Sequence, residues 1–158
     1  MGADLYLNSI FQPNFERYEA LFGEWMERRD GLQKDGHNAE AKEAQIKVEE
    51  YHDKMYEQGY FRDSYNSSNV LWLFEVSWWE DVAEMMDDEG MMSPAYAQIL
   101  MQMVSDRETI FEASLLQQAI WDGYTKEQIE HYFREKYKRF TVFLEETVRL
   151  SEAIVRSI

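Results

Sequence analysis

No cysteine occurs among the 158 residues, which excludes disulfides, thiolate nucleophiles and zinc sites built on sulfur. Only two prolines and seven glycines are present, so few positions force the chain to break. Three histidines restrict acid–base and metal chemistry before any motif is sought. No apolar run approaches the roughly 20 residues that a bilayer-crossing helix requires, and the most apolar window, 70–79, reads as a buried core element. The N-terminus shows no basic leader followed by an apolar stretch, so no secretory signal is expected. Tyr6 stands where N-myristoylation needs a small hydroxyl. Together these absences predict a cytoplasmic protein with no membrane association.

What is abundant is acid. The net charge is −15, and residues 67–124 supply −10 of it, with eleven carboxylates against the single base Arg107. The acids are Glu75, Glu80, Asp81, Glu84, Asp87, Asp88, Glu89, Asp106, Glu108, Glu112 and Asp122. Residues 125–158 are close to neutral, with seven Lys/Arg against six Asp/Glu. Such a field repels nucleic acid and anionic membranes and attracts basic proteins. Disorder does not follow, because 45 % of residues are apolar and 15 % aromatic, within the globular range.

Spacing predicts an all-α fold, a single-domain bundle of about five to six helices with a long C-terminal helix. Residues 1–12 read as an N-terminal extension, where Ala3 to Leu7 could be a strand but has no visible partner. Residues 13–58 read as an antiparallel helical hairpin. Its first helix opens at Pro13 and carries Phe15, Tyr18, Leu21, Phe22, Trp25 and Met26 at spacings of three and four. Asp35-Gly36 closes it, and a second helix from Asn38 has Ile46, Val48, Tyr51, Met55 and Tyr56 on its inner side. Residues 60–69 form an aromatic-rich loop.

Residues 70–123 read as short acidic helices. A helical segment spans 70–76, and Ser77-Trp78-Trp79-Glu80 forms a capping box opening a helix that Asp87-Asp88-Glu89-Gly90 ends. Ser93-Pro94 marks a further start, followed by Tyr96, Ile99, Leu100, Met103 and Val104. The next segment, 106–121, presents Ile110, Phe111, Leu115 and Ile120. Thr125–Gln128 is a second capping box, from which one helix is expected to run unbroken to Ile158, on the order of 50 Å.

Chemistry is harder to find. Glu49 and His52 have the Glu-x-x-His spacing of carboxylate-bridged metal bundles, and His131 has Glu127 and Glu135 one turn away on either side. Only one such motif occurs, so the metal reading, with Glu49, His52 and His131 as ligands and a divalent ion as cofactor, is the minor one. Asp87–Gly90 lacks the oxygen spacing of a calcium loop. Phosphate-binding glycine loops, nucleophile elbows and zincin motifs are missing.

Two blocks stand out. One is Tyr60–Asn66, where Arg62, Asp63, Tyr65 and Asn66 could fix a loop or line a pocket. The other is Trp78 and Trp79 beside Asp81, Glu84, Asp87, Asp88 and Glu89. Adjacent tryptophans on a helix diverge by about 100°, so core packing competes with an aromatic anchor ringed by acids. Tyr60–Asn66 and Ser77-Trp78-Trp79, with the opening Gly2–Tyr6, resemble a group of uncharacterised small bacterial or phage-borne proteins without assigned activity. The resemblance covers about a tenth of the chain and implies a prokaryotic cytosolic setting. The expected function is therefore binding. The acidic segment would engage a basic protein, as inhibitors, immunity factors and DNA mimics do, without direct nucleic-acid binding and with a homodimer through 125–158 as a further expectation.

Overall fold

The computed structural model describes residues 2–64, 69–119 and 121–157. The expected loop residues Tyr65, Asn66, Ser67 and Ser68, and the expected core positions Ile120 and Ile158, lie outside the described residues. The chain forms two compact units: Asn8–Tyr60, and Met1–Leu7 with Phe61–Ile158.

The first unit is a helical hairpin, α1 (Asn8–Lys34) and α2 (Asn38–Met55). Its antiparallel register shows in the order of facing groups. Phe11 and Phe15 meet Tyr56, Tyr18 meets Tyr51, Phe22 meets His52, and Arg29 Nη1 donates to Gln45 Oε1 at 2.8 Å. Gly36, at φ +80°, turns the chain between the helices, a conformation open to glycine at no steric cost. Pro13 does not open α1, as its ring suggested; it sits inside the helix on an exposed side, and the missing N–H costs one ladder bond.

On α2 the inner residues are Ala41, Ala44, Val48 and Met55, and Ile46 is exposed, contrary to the expected face. Alanines at the seam let the two backbones approach, which places Ile46 on the far side of the helix. Buried Asn14 of α1 closes the end of α2, its amide donating to the carbonyls of Lys54 (2.7 Å) and Met55 (3.1 Å). The Lys54 carbonyl otherwise has a long 3.4 Å bond from the Glu57 N–H, and carbonyls in a helix's last turn lack intrahelical partners, so the amide lowers a desolvation cost.

The second unit corrects the all-α expectation. It contains a four-stranded sheet in the order β2-β1-β4-β3, built from β1 (Gly2–Tyr6), β2 (Tyr60–Ser64), β3 (Met91–Met92) and β4 (Ile154–Ser157). β4 runs antiparallel to both neighbours, with Leu5 opposite Arg156 and Met92 opposite Ile154. Thus the segment Ala3 to Leu7 has a partner after all: Asp4, Leu5 and Tyr6 pair with Ser157, Arg156 and Val155 at the far end of the sequence. The expected aromatic loop 60–69 begins as β2. Gly2 is required where β1 meets β2, because a Cβ there would stand 2.6 Å from the Asp63 carbonyl oxygen.

The helices of this unit are α3 (Pro94–Asp106), α4 (Glu108–Leu116) and α5 (Lys126–Leu150). Ser93 caps α3, its Oγ accepting from the Tyr96 N–H, and Thr125 and Gln128 exchange both bonds of the capping box that opens α5. α5 ends eight residues before Ile158. Ser151 turns left-handed at φ +50°, and the Glu152 N–H returns to the Thr147 carbonyl in a Schellman ending. Val155, which fits the helical spacing, belongs to β4. The expected helix of 70–76 is a single 3-10 turn, Leu71–Phe74, and another spans Ala83–Met85.

The core of this unit joins the sheet to α5. Phe61 of β2 packs on Phe140 in a tilted pair at 4.7 Å, and Trp78 meets the same ring edge-on at 6.4 Å. Phe74 stacks on Phe111 of α4 at 4.7 Å and meets Tyr137 of α5 at 4.8 Å.

Candidate interaction face and its buried anchor

The two sequence blocks singled out for their composition meet in space. Asp63 is fully buried, and its carboxylate accepts from the indole Nε1 of Trp78 at 2.8 Å and from the Val70 N–H at 2.9 Å. The ammonium of Lys136, on α5 and also buried, stands 2.9 Å from the same carboxylate and donates to the Tyr132 hydroxyl. Removing two charges from water is expensive, and only close pairing with further hydrogen bonds offsets it. Here strand, indole, loop N–H and helix supply those bonds together. Asp63 is therefore a structural anchor and faces no solvent. Arg62 points outward, 3.7 Å from Asp4. Tyr65 and Asn66 lie outside the described residues.

Trp79 does the opposite of its neighbour. It is 62 % exposed while Trp78 is 1 % exposed. The guanidinium of Arg156, on β4, lies over both indoles, 5.9 Å from Trp78 and 5.6 Å from Trp79. Burial and a cation–π contact fix the backbone that carries Trp79. The local turn is fixed as well. Ser77 Oγ accepts from the N–H groups of Trp79 and Glu80, and Asp81 Oδ2 accepts from the Ser77 N–H at 2.8 Å. The reciprocal carboxylate is Asp81, one residue later than the capping-box spacing predicts, and turns follow where a helix was expected.

Asp87-Asp88-Glu89-Gly90 is a tight turn between strand-like neighbours, following the 3-10 turn Ala83–Met85 and not an α-helix. Met86 bridges to Met92, the Asp87 N–H donates to the Met91 carbonyl, and Asp87 Oδ1 accepts from Glu89 and Met91. Gly90 at φ +75° completes it. Asp81 and Asp87 thus spend carboxylate oxygens on backbone, and Glu80, Glu84, Asp88 and Glu89 are exposed. Among the described residues none of those four forms an ion pair. Arg107, the lone base of the segment, donates to the Glu75 and Phe74 carbonyls and so closes the Leu71–Phe74 turn.

A second polar feature escaped the sequence reading. Glu108, Thr109, Phe111 and Glu112 of α4 face Arg134 and Tyr137 of α5 across a concavity of about 440 Å³. Arg134 clasps Glu112 through two bonds of 2.6 and 2.8 Å, which holds the carboxyl below its usual range. Tyr137 donates to Glu108 at 2.9 Å, and burial first, then that carboxylate, pushes the phenol up to about 12. The i,i+4 acids of one helix and the i,i+3 pair of the other are a spacing signal, but only the packing of α4 on α5 brings them face to face.

The residues of the metal reading stand in different units, Glu49 and His52 on α2 and His131 on α5. Glu49 accepts from Gln45 at 2.9 Å, and His52 lies between the rings of Phe22 and Tyr56. Among the described residues no group of three or more His, Asp or Glu side chains could hold a metal ion. Nor is any described helix long and apolar enough to cross a membrane.

Compared with family models, with curated proteins and with solved structures, the chain finds no match.

Proposed function

We propose that this protein is a non-catalytic binding module whose acidic segment, 67–124, engages a basic partner protein in the manner of an inhibitor, immunity factor or DNA-charge mimic. The single observation that carries this reading is the split pair Trp78–Trp79. One indole is locked onto Asp63 in the core, and the next one is exposed in a segment whose carboxylates Glu80, Glu84, Asp88 and Glu89 are exposed as well. A solvent-facing tryptophan in a segment of exposed charge is the composition in which interface hot spots concentrate. The surrounding field would steer a cationic partner and make association fast at low ionic strength.

The test compares proteins retained from the native host on immobilised wild type and on Trp79→Ala, with salt raised stepwise. Retention lost in Trp79→Ala, and elution of a basic protein as salt rises, is the expected result. Equal retention by both, or elution indifferent to salt, overturns the reading.

A further inference from the structure

We propose that the Leu71–Phe74 turn presents a docking point for an arginine side chain of the basic partner, made of the Trp72 indole and the Glu75 carboxylate. Trp72 is 68 % exposed, the most exposed large apolar side chain among the described residues, while Leu71, Leu73 and Phe74 around it are buried. The backbone beneath it is held at both ends. Asn69 Oδ1 accepts from the Leu71 and Trp72 N–H groups at 2.9 and 3.2 Å, and Asp63 Oδ1 accepts from the Val70 N–H at 2.9 Å. At the far end Arg107 Nη1 donates to the Glu75 carbonyl at 2.8 Å. Within 69–76 only Trp72 and Glu75 are exposed.

Glu75 supplies the second half of the site. It adopts φ +54° and ψ +41°, the left-handed conformation that glycine takes without cost and a side chain does not. Strained backbone concentrates at binding positions, and here the strain retains a carboxylate that the fold does not use. Neither that carboxylate nor the Trp72 indole forms a hydrogen bond, ion pair or cation–π contact among the described residues. The Glu75 N–H returns to the Trp72 carbonyl at 3.0 Å, and residues three apart in a 3-10 turn stand one above the other.

Charge and shape select the occupant. A guanidinium is planar and can stack on an indole while its edge forks to a carboxylate, which a lysine ammonium does not do. The chain's own indoles already draw that group: Arg28 lies 5.0 Å from the Trp25 ring and Arg156 lies 5.6 Å from that of Trp79. Arg107, the one base of 67–124, is turned to backbone carbonyls and leaves Trp72 and Glu75 to a cation from elsewhere. The site rests on the reading of 67–124 as a surface for basic proteins, and adds to it a contact separate from Trp79.

The probe is an acetylated, amidated tripeptide with arginine between two glycines, set against its lysine counterpart. Each is titrated into the full chain at fixed ionic strength, up to about 20 mM, with the indole and amide N–H resonances followed by NMR. The Trp72 indole and Glu75 amide signals are expected to shift and saturate with the arginine peptide, and the lysine peptide to bind at least about threefold more weakly. Glu75→Gly is expected to weaken the arginine peptide about two- to fivefold while melting at or above the wild-type temperature, because it relieves the left-handed strain. Equal response to both peptides, shifts that spare Trp72, or wild-type affinity in Glu75→Gly overturns the site. Retention of host proteins on Trp79→Ala succeeds or fails separately, since the peptides are read at Trp72.

Discussion

Lys136 Nζ lies 2.9 Å from Asp63 Oδ1, with the lysine side chain 7 % exposed and the aspartate 0 %. The pair joins β2 to α5, and through the Trp78 indole it also fixes the segment that presents Trp79. A buried charge left without its partner is far more costly than the pair is favourable. Lys136→Met should therefore destabilise the protein by about 3 kcal/mol, and Asp63→Asn by a similar amount. The double variant should lose clearly less than the sum, because no charge is then stranded. Urea unfolding of the four proteins checks this; additive losses would show that the two charges do not stabilise each other.

The two tryptophans should separate stability from binding. Trp78→Phe leaves Asp63 Oδ2 with only the long 3.4 Å bond from the Leu71 N–H and opens a gap beside Phe140, at a cost of about 2–4 kcal/mol. Trp79→Ala gives up one face of a cation–π contact and should stay within about 1 kcal/mol of wild type. Thermal unfolding measures both, and comparable losses would mean that Trp79 is a core residue.

The end of α5 carries removable strain. Ser151 adopts φ +50°, where a Cβ costs about 1 kcal/mol and glycine is at ease. Ser151→Gly should stabilise the protein by about that amount. A neutral or destabilising result in chemical denaturation would show that the serine side chain contributes something else there.

Two groups contribute at the opposite ends of the pH range. Hydrogen bonds from Lys47 and Lys54 lower Glu50 to about 2, so its contribution is present above its ordinary value of 4.5 and is lost as pH falls toward about 2. Tyr137 is raised from 10.0 to about 12, so its contribution is complete below pH 10 and disappears between about 10 and 12. Glu50→Gln should flatten the acid limb of a stability–pH curve between about 4.5 and 2. Tyr137→Phe should flatten the alkaline limb, leaving the acid limb as it was. Unchanged limbs in either variant would remove that group from the account.

Much of the helical framework was legible because its signals are local. Ser93-Pro94 and the Thr125–Gln128 box each need only neighbours in sequence to satisfy free N–H groups, and both occur as read. The alternation in 126–150 likewise marks the buried stripe of Ile129, Phe133, Phe140 and Leu144. The sheet was not legible. Its strands have two to five residues, too few to display alternation, and β4 carries spacing compatible with the helix before it. The capping box at Ser77 failed for a related reason: Asp81 competed with Glu80 for the same N–H and won, giving a turn.

The sequence by itself determined the concentration of negative charge in 67–124, the exclusion of thiol chemistry and most helix starts. Those depend on residue type and on neighbours within one turn. Only the tertiary structure decided that β1 pairs with β4, that Asp63 is an anchor and not a ligand, and that Trp78 is buried where Trp79 is not. Each of those outcomes is set by which distant residue supplies a partner for a polar group or covers an apolar one. Such pairing is a property of packing, and no sequence window contains both halves of it.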